Sequence, residues 1–186
     1  MSNRIHITLA LVSGIALGGV GALMLPGLLG GHSGHQPYAD EQGRQISTLS
    51  AADVEQLKAG KGWGLAKPAE FNGYPGPAHV IEFAEKLKLS AAQRRAVDAS
   101  FAAMQAKAKE LGEQLIGAEA ALDAAFVSKT INSAALDSLL ATAETVRSKL
   151  RAVHLSAHLE VTPLLSDEQK TLYASLRGYG SGHGSH

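Results

Sequence analysis

Two series of apolar residues at helical spacing face each other when the chain folds back between them. The first series runs from Val97 to Ala125 and the second from Leu136 to Ala157, in steps of three and four residues. This is the spacing of one face of an α-helix. When the chain folds back at the intervening "SKTINS", each residue of the first series lies opposite a residue of the second. Every such pair is apolar, from Met104 opposite Ala157 to Ala125 opposite Leu136. The pattern predicts a long antiparallel helical hairpin.

Capping signals mark where the helices begin. Ser90 followed by Gln93 is a reciprocal capping box, in which each residue satisfies a free backbone N–H of the first turn, and it opens the first long helix. Ser166 and Gln169 repeat this pattern just after Pro163, which ends the second long helix. A further helix is therefore expected to follow the hairpin.

Shorter helical segments flank the hairpin on its N-terminal side. Ser50 and Asp53 resemble a capping box that opens the short helix "AADVEQLKAG", and "AHVIEFAEKL" precedes the first long helix. No stretch favours strands over helices. The fold class expected is all-α, a long antiparallel helical hairpin flanked by short helices.

The N-terminal segment is apolar enough to meet a membrane. No charged residue stands between Ile7 and Leu29, and this length of helix crosses a hydrocarbon core of about 30 Å. Arg4 precedes the segment, which favours a cytoplasmic N-terminus and export of the rest. A transmembrane anchor and a cleaved signal peptide, with the small residues "GVGA" as cleavage region, both fit. We expect the rest of the chain to be exported, and to be anchored to the membrane by residues 7–29 if the segment is uncleaved.

The remaining chain divides by composition into four parts after this segment. After the segment 1–29 comes a flexible linker at residues 30–49, followed by a short helix and a loop rich in glycine and aromatic residues at 50–76. A helical domain then covers residues 77–178, and a tail rich in Gly, Ser and His covers 179–186.

The glycine-rich loop concentrates large rings. Trp63, Phe71 and Tyr74 lie among its glycines and turn signals. Because such rings bury large apolar areas, we expect them to pack the loop back onto the hairpin. The open end, where Phe83, Phe101 and Tyr173 supply apolar surface, is the expected place. A loop that forms a ligand pocket and an open arm that binds a partner are the alternatives.

Two histidines raise the question of a metal site. His154 and His158 share one helix face, which suits zinc, nickel, cobalt or copper, but a closed site needs further ligands. The hairpin register places Lys107 and Ala103 opposite them, and Leu155 stands where a zinc protease has its catalytic glutamate. Other ligands would come from a second chain or from a set of more distant residues: His79, Glu82, His183, His186, and the linker residues His32 and His35. Histidines that only form hydrogen bonds between helices are the alternative.

Composition argues against several function classes. The chain has no cysteine, which excludes disulfides and thiolate chemistry, and its Lys+Arg and Asp+Glu counts of 17 each give no basic excess for nucleic acid. No nucleophile–base pair or phosphate-binding glycine pattern is present, and a slender hairpin offers little concavity, so we expect no enzyme. A core this small for its length favours a homodimer.

Two short segments carry a family resemblance. Leu89-Ser90-Ala91-Ala92-Gln93 and Leu165-Ser166-Asp167-Glu168-Gln169 resemble the paired Leu-Thr-x-x-Gln motifs of the Spy/CpxP family, with Ser in place of the usual Thr. The family comprises exported helical-hairpin proteins, including zinc-resistance-associated and heavy-metal-sensor relatives. The resemblance covers about residues 77–178, and the Trp63 loop lies outside it.

The resemblance implies a periplasmic envelope-stress protein. Spy-like members dimerise into a curved cradle that holds unfolding clients, and CpxP-like members also restrain a membrane sensor kinase. We therefore expect a chaperone-like or stress-modulating protein that needs no cofactor and whose partners are unfolded envelope proteins or a membrane sensor. The alternative is a protein that binds or senses a divalent transition metal such as zinc.

Overall fold

A computed structural model describes residues 38–179 of the chain. The predicted membrane or signal segment at 1–29 and the tail histidines His183 and His186 lie outside this range. Within residues 38–179, no helix is both long and apolar enough to span a bilayer. Two 3₁₀ turns and six helices make up the described part: Ala39–Glu41 and Thr162–Leu164 as turns, then α1 Ala51–Lys58, α2 Lys67–Phe71, α3 Pro77–Glu82, α4 Ala91–Val127, α5 Ser133–Val161 and α6 Asp167–Leu176.

The expected all-α fold with a long helical hairpin is confirmed. Helices α4 and α5 pack along each other and are joined by a short turn. Asn132 caps α5 by accepting a hydrogen bond from the backbone N–H of Ala135 at 3.0 Å. Because this cap restarts the helix directly after the turn, the chain reverses within a few residues and the two apolar faces meet.

Two clusters of buried residues form the core. The first lies along the hairpin and collects residues from α4, α5, α1 and the segment before α1: Ile46, Leu49, Leu57, Ala108, Leu111, Leu115 and Leu150. The second lies where α3, the start of α4 and α6 come together, and contains Val80, Leu87, Val97, Val161, Leu165 and Tyr173. The short helices therefore thicken a hairpin whose own core is slender.

A glycine in α4 allows helix α1 to pack closely against the hairpin. A Cβ atom at Gly112 of α4 would collide with the backbone carbonyl of Leu57. Leu57 is fully buried there, among Leu111 and Leu150 of the first cluster. Gly112 thus weakens helix propensity slightly but lets the backbone of α1 approach α4 closely.

Both capping motifs form reciprocal boxes. The hydroxyl of Ser90 accepts from the N–H of Gln93 at 3.2 Å, and the Gln93 side chain accepts from the N–H of Ser90 at 2.9 Å. Ser166 and Gln169 repeat these bonds at 3.2 and 2.9 Å. Each Gln therefore uses its carbonyl oxygen locally and keeps its NH₂ group for another partner.

The two NH₂ groups join the motifs to each other. Gln93 Nε2 donates to the carbonyl of Leu164 at 2.8 Å and to Gln169 Oε1 at 2.8 Å. In return, Gln169 Nε2 donates to the carbonyl of Leu87 at 3.1 Å. The start of α4 is thus bonded to the start of α6, which explains why glutamine stands at the same position of both motifs.

Part of the predicted flexible linker packs against the body. Ile46 and Leu49 are buried in the first core cluster, so the linker interpretation of residues 30–49 is wrong for this stretch. The hydroxyl of Thr48 also donates to the buried carboxylate of Glu119 at 2.8 Å, which in turn is ion-paired with Arg147. The apolar pair and this polar contact hold the segment along α4.

The glycine and aromatic loop contains a helix that the sequence analysis did not predict. Helix α2 begins with Pro68 in its first turn, where the missing N–H of proline has no consequence. Its buried residues are Ala69 and Glu70. In contrast, Phe71 is 55% and Tyr74 41% exposed, so the expectation that these two rings pack onto the hairpin is wrong.

Trp63 packs onto the hairpin, but not at its open end. The half-buried ring contacts the first core cluster and has the Arg147 guanidinium 5.2 Å above it. Of the three residues expected near it, Phe101 lines the same cavity as Trp63, whereas Phe83 and Tyr173 belong to the second cluster. Its indole Nε1 donates to Asp53 Oδ1 at 2.8 Å. The expected location was wrong because Trp63 closely follows α1, which Gly112 draws against the middle of α4.

We predict that Trp63→Ala lowers the free energy of unfolding by about 2–3 kcal/mol, below the usual loss for a fully buried ring because Trp63 is half-buried. Urea unfolding followed by circular dichroism measures the change. Tyr38→Ala, at an exposed ring, is the control and should have little effect. Equal stability of the two variants would show that Trp63 does not pack as described.

Candidate functional site

The two histidines of α5 are buried beneath the segment that precedes the hairpin. His154 is 3% and His158 7% exposed. They line a cavity together with residues of α2, α3 and α4, so their surroundings are not the Lys107 and Ala103 that the hairpin register placed opposite them. Lys107 instead pairs with Glu110 on the exposed side of α4.

Glu70 of α2 is the centre of the polar contacts beside these histidines. Its side chain is 91% buried and its Oε1 accepts from the Tyr173 hydroxyl at 2.6 Å and from Arg177 Nε at 2.9 Å. His79 Nδ1 lies 3.5 Å from Oε1, and His158 Nδ1 lies 3.8 Å from Oε2. One carboxylate therefore connects α2 with α3, α5, α6 and the residues after α6.

These contacts keep the carboxylate ionised. Burial by itself raises the pKa of Glu70, but hydrogen bonds from His79, Tyr173 and Arg177 outweigh it and lower the pKa from 4.5 to about 2. Burial also raises the pKa of Tyr173, and the Glu70 carboxylate raises it further. Tyr173 thus stays protonated and donates to an acceptor that stays charged.

His158 is held in one tautomer by the backbone. Its Nδ1 lies 2.7 Å from the carbonyl oxygen of Tyr74, and since a carbonyl only accepts, Nδ1 carries the proton. In the neutral ring, Nε2 then bears the lone pair. Gly76 packs on this ring, because a Cβ there would lie 2.8 Å from Nε2. A larger residue at position 76 would displace the imidazole.

His154 has a nitrogen with no partner. Its Nε2 is fully buried and forms no hydrogen bond with any residue of the described chain. Burial lowers the pKa of His154, and the neighbouring charge of His158 lowers it further. The imidazole therefore remains neutral at pH values where an exposed histidine begins to protonate. A buried polar atom without a partner is rare and points to a ligand or water that binds it.

The cavity has a volume of about 550 Å³. Its walls combine aromatic and apolar side chains with the histidines and a few cations: Trp63, Phe71, Phe101, Met104, His79, His154, His158, Glu70, Lys61, Lys67 and Arg177 among others. This size and this mixture are typical of sites for small ligands.

The described residues offer few potential metal ligands. Among residues 38–179, no group of three or more His, Asp or Glu side chains is arranged to hold an ion. The unpaired His154 nitrogen nevertheless fits a transition metal, since neutral imidazole is a common ligand. His158 offers Nε2 with its Nδ1 donating to a carbonyl, the arrangement usual for metal-binding histidines.

The other residues predicted as ligands divide into three groups. His79 contacts Glu70 and lines the cavity, whereas Glu82 is exposed on α3 and does not line it. His32, His35, His183 and His186 lie outside the described residues. The sequence analysis missed Glu70 and Arg177, because nothing in the local pattern distinguishes a buried glutamate in a short, unpredicted helix.

We predict that Glu70→Gln destabilises the protein at pH 7 by about 1–3 kcal/mol, since buried donors lose a charged acceptor. The pKa of Glu70 is depressed in the folded state, so its contribution is present above about pH 4.5 and is lost as the pH falls towards 2. The difference in unfolding free energy between wild type and variant should therefore shrink over this range. Urea unfolding at several pH values measures it.

Glu82→Gln is the matched control for this experiment, because Glu82 is an exposed carboxylate on the adjacent helix. Its unfolding free energy should differ little from that of the wild type at any pH. An unchanged gap between wild type and Glu70→Gln from pH 7 to pH 2.5 would contradict the ionised network.

Comparison with known proteins bears on this geometry. A family model described as heavy-metal resistance matches residues 72–171, more than half of the chain, including α3, the whole hairpin and both capping motifs. That family is related to Spy/CpxP-like helical proteins, which agrees with the resemblance at this coarser level. No curated protein and no solved structure shows significant similarity to the chain. The chain belongs to the heavy-metal resistance family.

Proposed function

We propose that this protein binds a divalent transition-metal ion in the cavity beneath α2 and thereby serves heavy-metal resistance. The observation that carries the proposal is the buried Nε2 of His154, which has no partner among the described residues. It lies on the same helix face as His158, one turn away, and both histidines line the cavity. The match to a heavy-metal resistance family supports the same interpretation.

The two imidazoles are the proposed protein ligands. Zinc, nickel, cobalt and copper all accept imidazole nitrogen, and a neutral ring is required. The low pKa of His154, caused mainly by burial, supplies that neutral form. The Tyr74 carbonyl fixes the ring of His158 with Nε2 as the available nitrogen. Glu70 lies behind His158 and holds α2 and α3 in place beside it.

The setting of this activity is also part of the proposal. The apolar segment from Ile7 to Leu29 supports export to the periplasm, with or without cleavage. We propose a non-catalytic protein, because Glu70 and Tyr173 are engaged with each other and with Arg177 rather than directed at a substrate position. A second copy of the chain and a membrane sensor are the proposed partners, and nucleic acid is not among them.

A chaperone-like role for unfolded envelope proteins is the second candidate. The observation that favours it is the set of large apolar side chains left exposed on the hairpin and its turn: Phe126, Val127, Leu140 and Leu159. Exposed apolar residues of this kind can contact an unfolded chain. The resemblance to Spy-like proteins points the same way.

We predict that the full chain binds Ni²⁺, Co²⁺, Zn²⁺ or Cu²⁺ in a one-to-one ratio in equilibrium dialysis. His154→Gln should weaken binding at least tenfold, because it removes the unpaired nitrogen, and His158→Gln should act similarly. Glu82→Gln, at an exposed carboxylate outside the cavity, is the control and should bind as the wild type does.

Binding that is unaffected by His154→Gln would contradict this site. If no metal binds at all, and the chain suppresses aggregation of an unfolded client protein, the second candidate replaces the first. Replacing Phe126 and Leu159 by Ser should then reduce the suppression.

A further inference from the structure

The cavity is larger than a metal ion needs. A divalent ion with six waters fills about 200 Å³, taking roughly 30 Å³ for each water. The cavity measures about 550 Å³. The space beyond the hydrated ion is that of a small organic molecule, and the total falls within the usual range of ligand pockets.

The described protein atoms also provide few ligands for an ion. No third His, Asp or Glu within residues 38–179 joins the two imidazoles of α5 in a metal-binding arrangement. The Glu70 carboxylate is already occupied by Tyr173 and Arg177. Since transition metals take four to six ligands, at least half of the positions around the ion would be filled by something other than the described residues.

The charges in the cavity wall favour anionic groups. Lys61 and Lys67 are exposed lysines that line it, and neither forms an ion pair with another of residues 38–179. The Lys67 ammonium lies along the glycine loop, 3.7 Å from where a Cβ of Gly64 would stand. Two cations beside a site for a bare metal cation would weaken its binding, whereas they would attract carboxylates.

The rest of the wall suits the carbon skeleton of an organic ligand. Trp63, Phe101 and Met104 supply apolar surface on the side of α1 and α4. Gly60 brings the loop close to α4, because a Cβ there would lie 2.8 Å from the carbonyl oxygen of Gln105. The cavity wall thus combines the two histidines with apolar surface and two exposed lysines.

We propose that the species bound in the cavity is a chelate of a divalent transition metal with a small polycarboxylate. His154 and His158 bind the metal, while Lys61 and Lys67 pair with carboxylate groups of the chelator. This inference rests on the proposed metal-binding function and specifies the form of the metal that the site takes. The chelator supplies the coordination positions that residues 38–179 leave open, and its negative charge offsets the two lysines.

Equilibrium dialysis of the full chain with Ni²⁺ alone, with radiolabelled citrate alone, and with their one-to-one complex tests the proposal. We expect nickel and citrate to be retained together in a one-to-one-to-one ratio, at least tenfold more tightly than Ni²⁺ alone. Lys61→Gln with Lys67→Gln should weaken binding of the complex at least tenfold without weakening that of Ni²⁺. His154→Gln should weaken both.

The matched control for charge is Lys58→Gln with Lys149→Gln, two exposed lysines that do not line the cavity. This variant should retain the complex as the wild type does. Retention of nickel without citrate, or equal losses in both lysine pairs, overturns the chelate proposal while the metal-binding function stands. Retention of no nickel in any arm overturns the metal-binding function itself.

Discussion

The buried carboxylate of Glu70 joins helix α2, which has no residue in either core cluster, to helices α3, α5 and α6. It accepts hydrogen bonds from Tyr173 and Arg177 and lies beside the imidazoles of His79 and His158. A charge in this position is stable only because it is surrounded by donors, which its pKa of about 2 reflects. Removal of any donor would leave a buried charge partly uncompensated, so these residues form one cooperative unit.

The cavity lies between this unit, the loop before α2 and the hairpin. Glu70 fixes α2 against α3 and α6, and Trp63 fixes the preceding loop through Asp53 and the first core cluster. Between these two attachments, the segment covers His154 and His158 without filling the space above them. His154 is thereby buried and neutral, yet keeps a nitrogen free of partners. The same contacts that stabilise the short helices thus bury the two histidines that we propose as metal ligands.

The sequence predicted the hairpin and its caps because both follow local rules. The spacing of Leu111, Leu115 and Leu150 depends only on helix periodicity, and a Ser and a Gln three residues apart suffice to form a capping box. The link between Gln93 and Gln169 was not predictable in this way, since it joins residues far apart in the chain. The repetition of the motif in the sequence was nevertheless an indication of this link.

The site was harder to predict for the same reason. His154 and His158 were found by their spacing, but their surroundings depend on how the segment 60–79 folds, which has no periodicity of its own. Glu70 stands between a proline and turn residues, and this local pattern does not indicate that it is buried. Its burial depends on contacts with Tyr173 and Arg177, which lie more than a hundred positions later in the chain. Trp63 was expected to pack at the open end of the hairpin. This predicted location was wrong because Gly112 determines where α1 lies.

Nitrogen-15 NMR of the histidine side chains, recorded on the full chain across pH 5 to 8, tests the central claim most directly. The account predicts that His154 titrates below the ordinary histidine value of 6.5, because it is buried beside His158. It also predicts that neutral His158 carries its proton on Nδ1, donating to the Tyr74 carbonyl. A His154 that titrates at or above 6.5, or a His158 with its proton on Nε2, would contradict the described site.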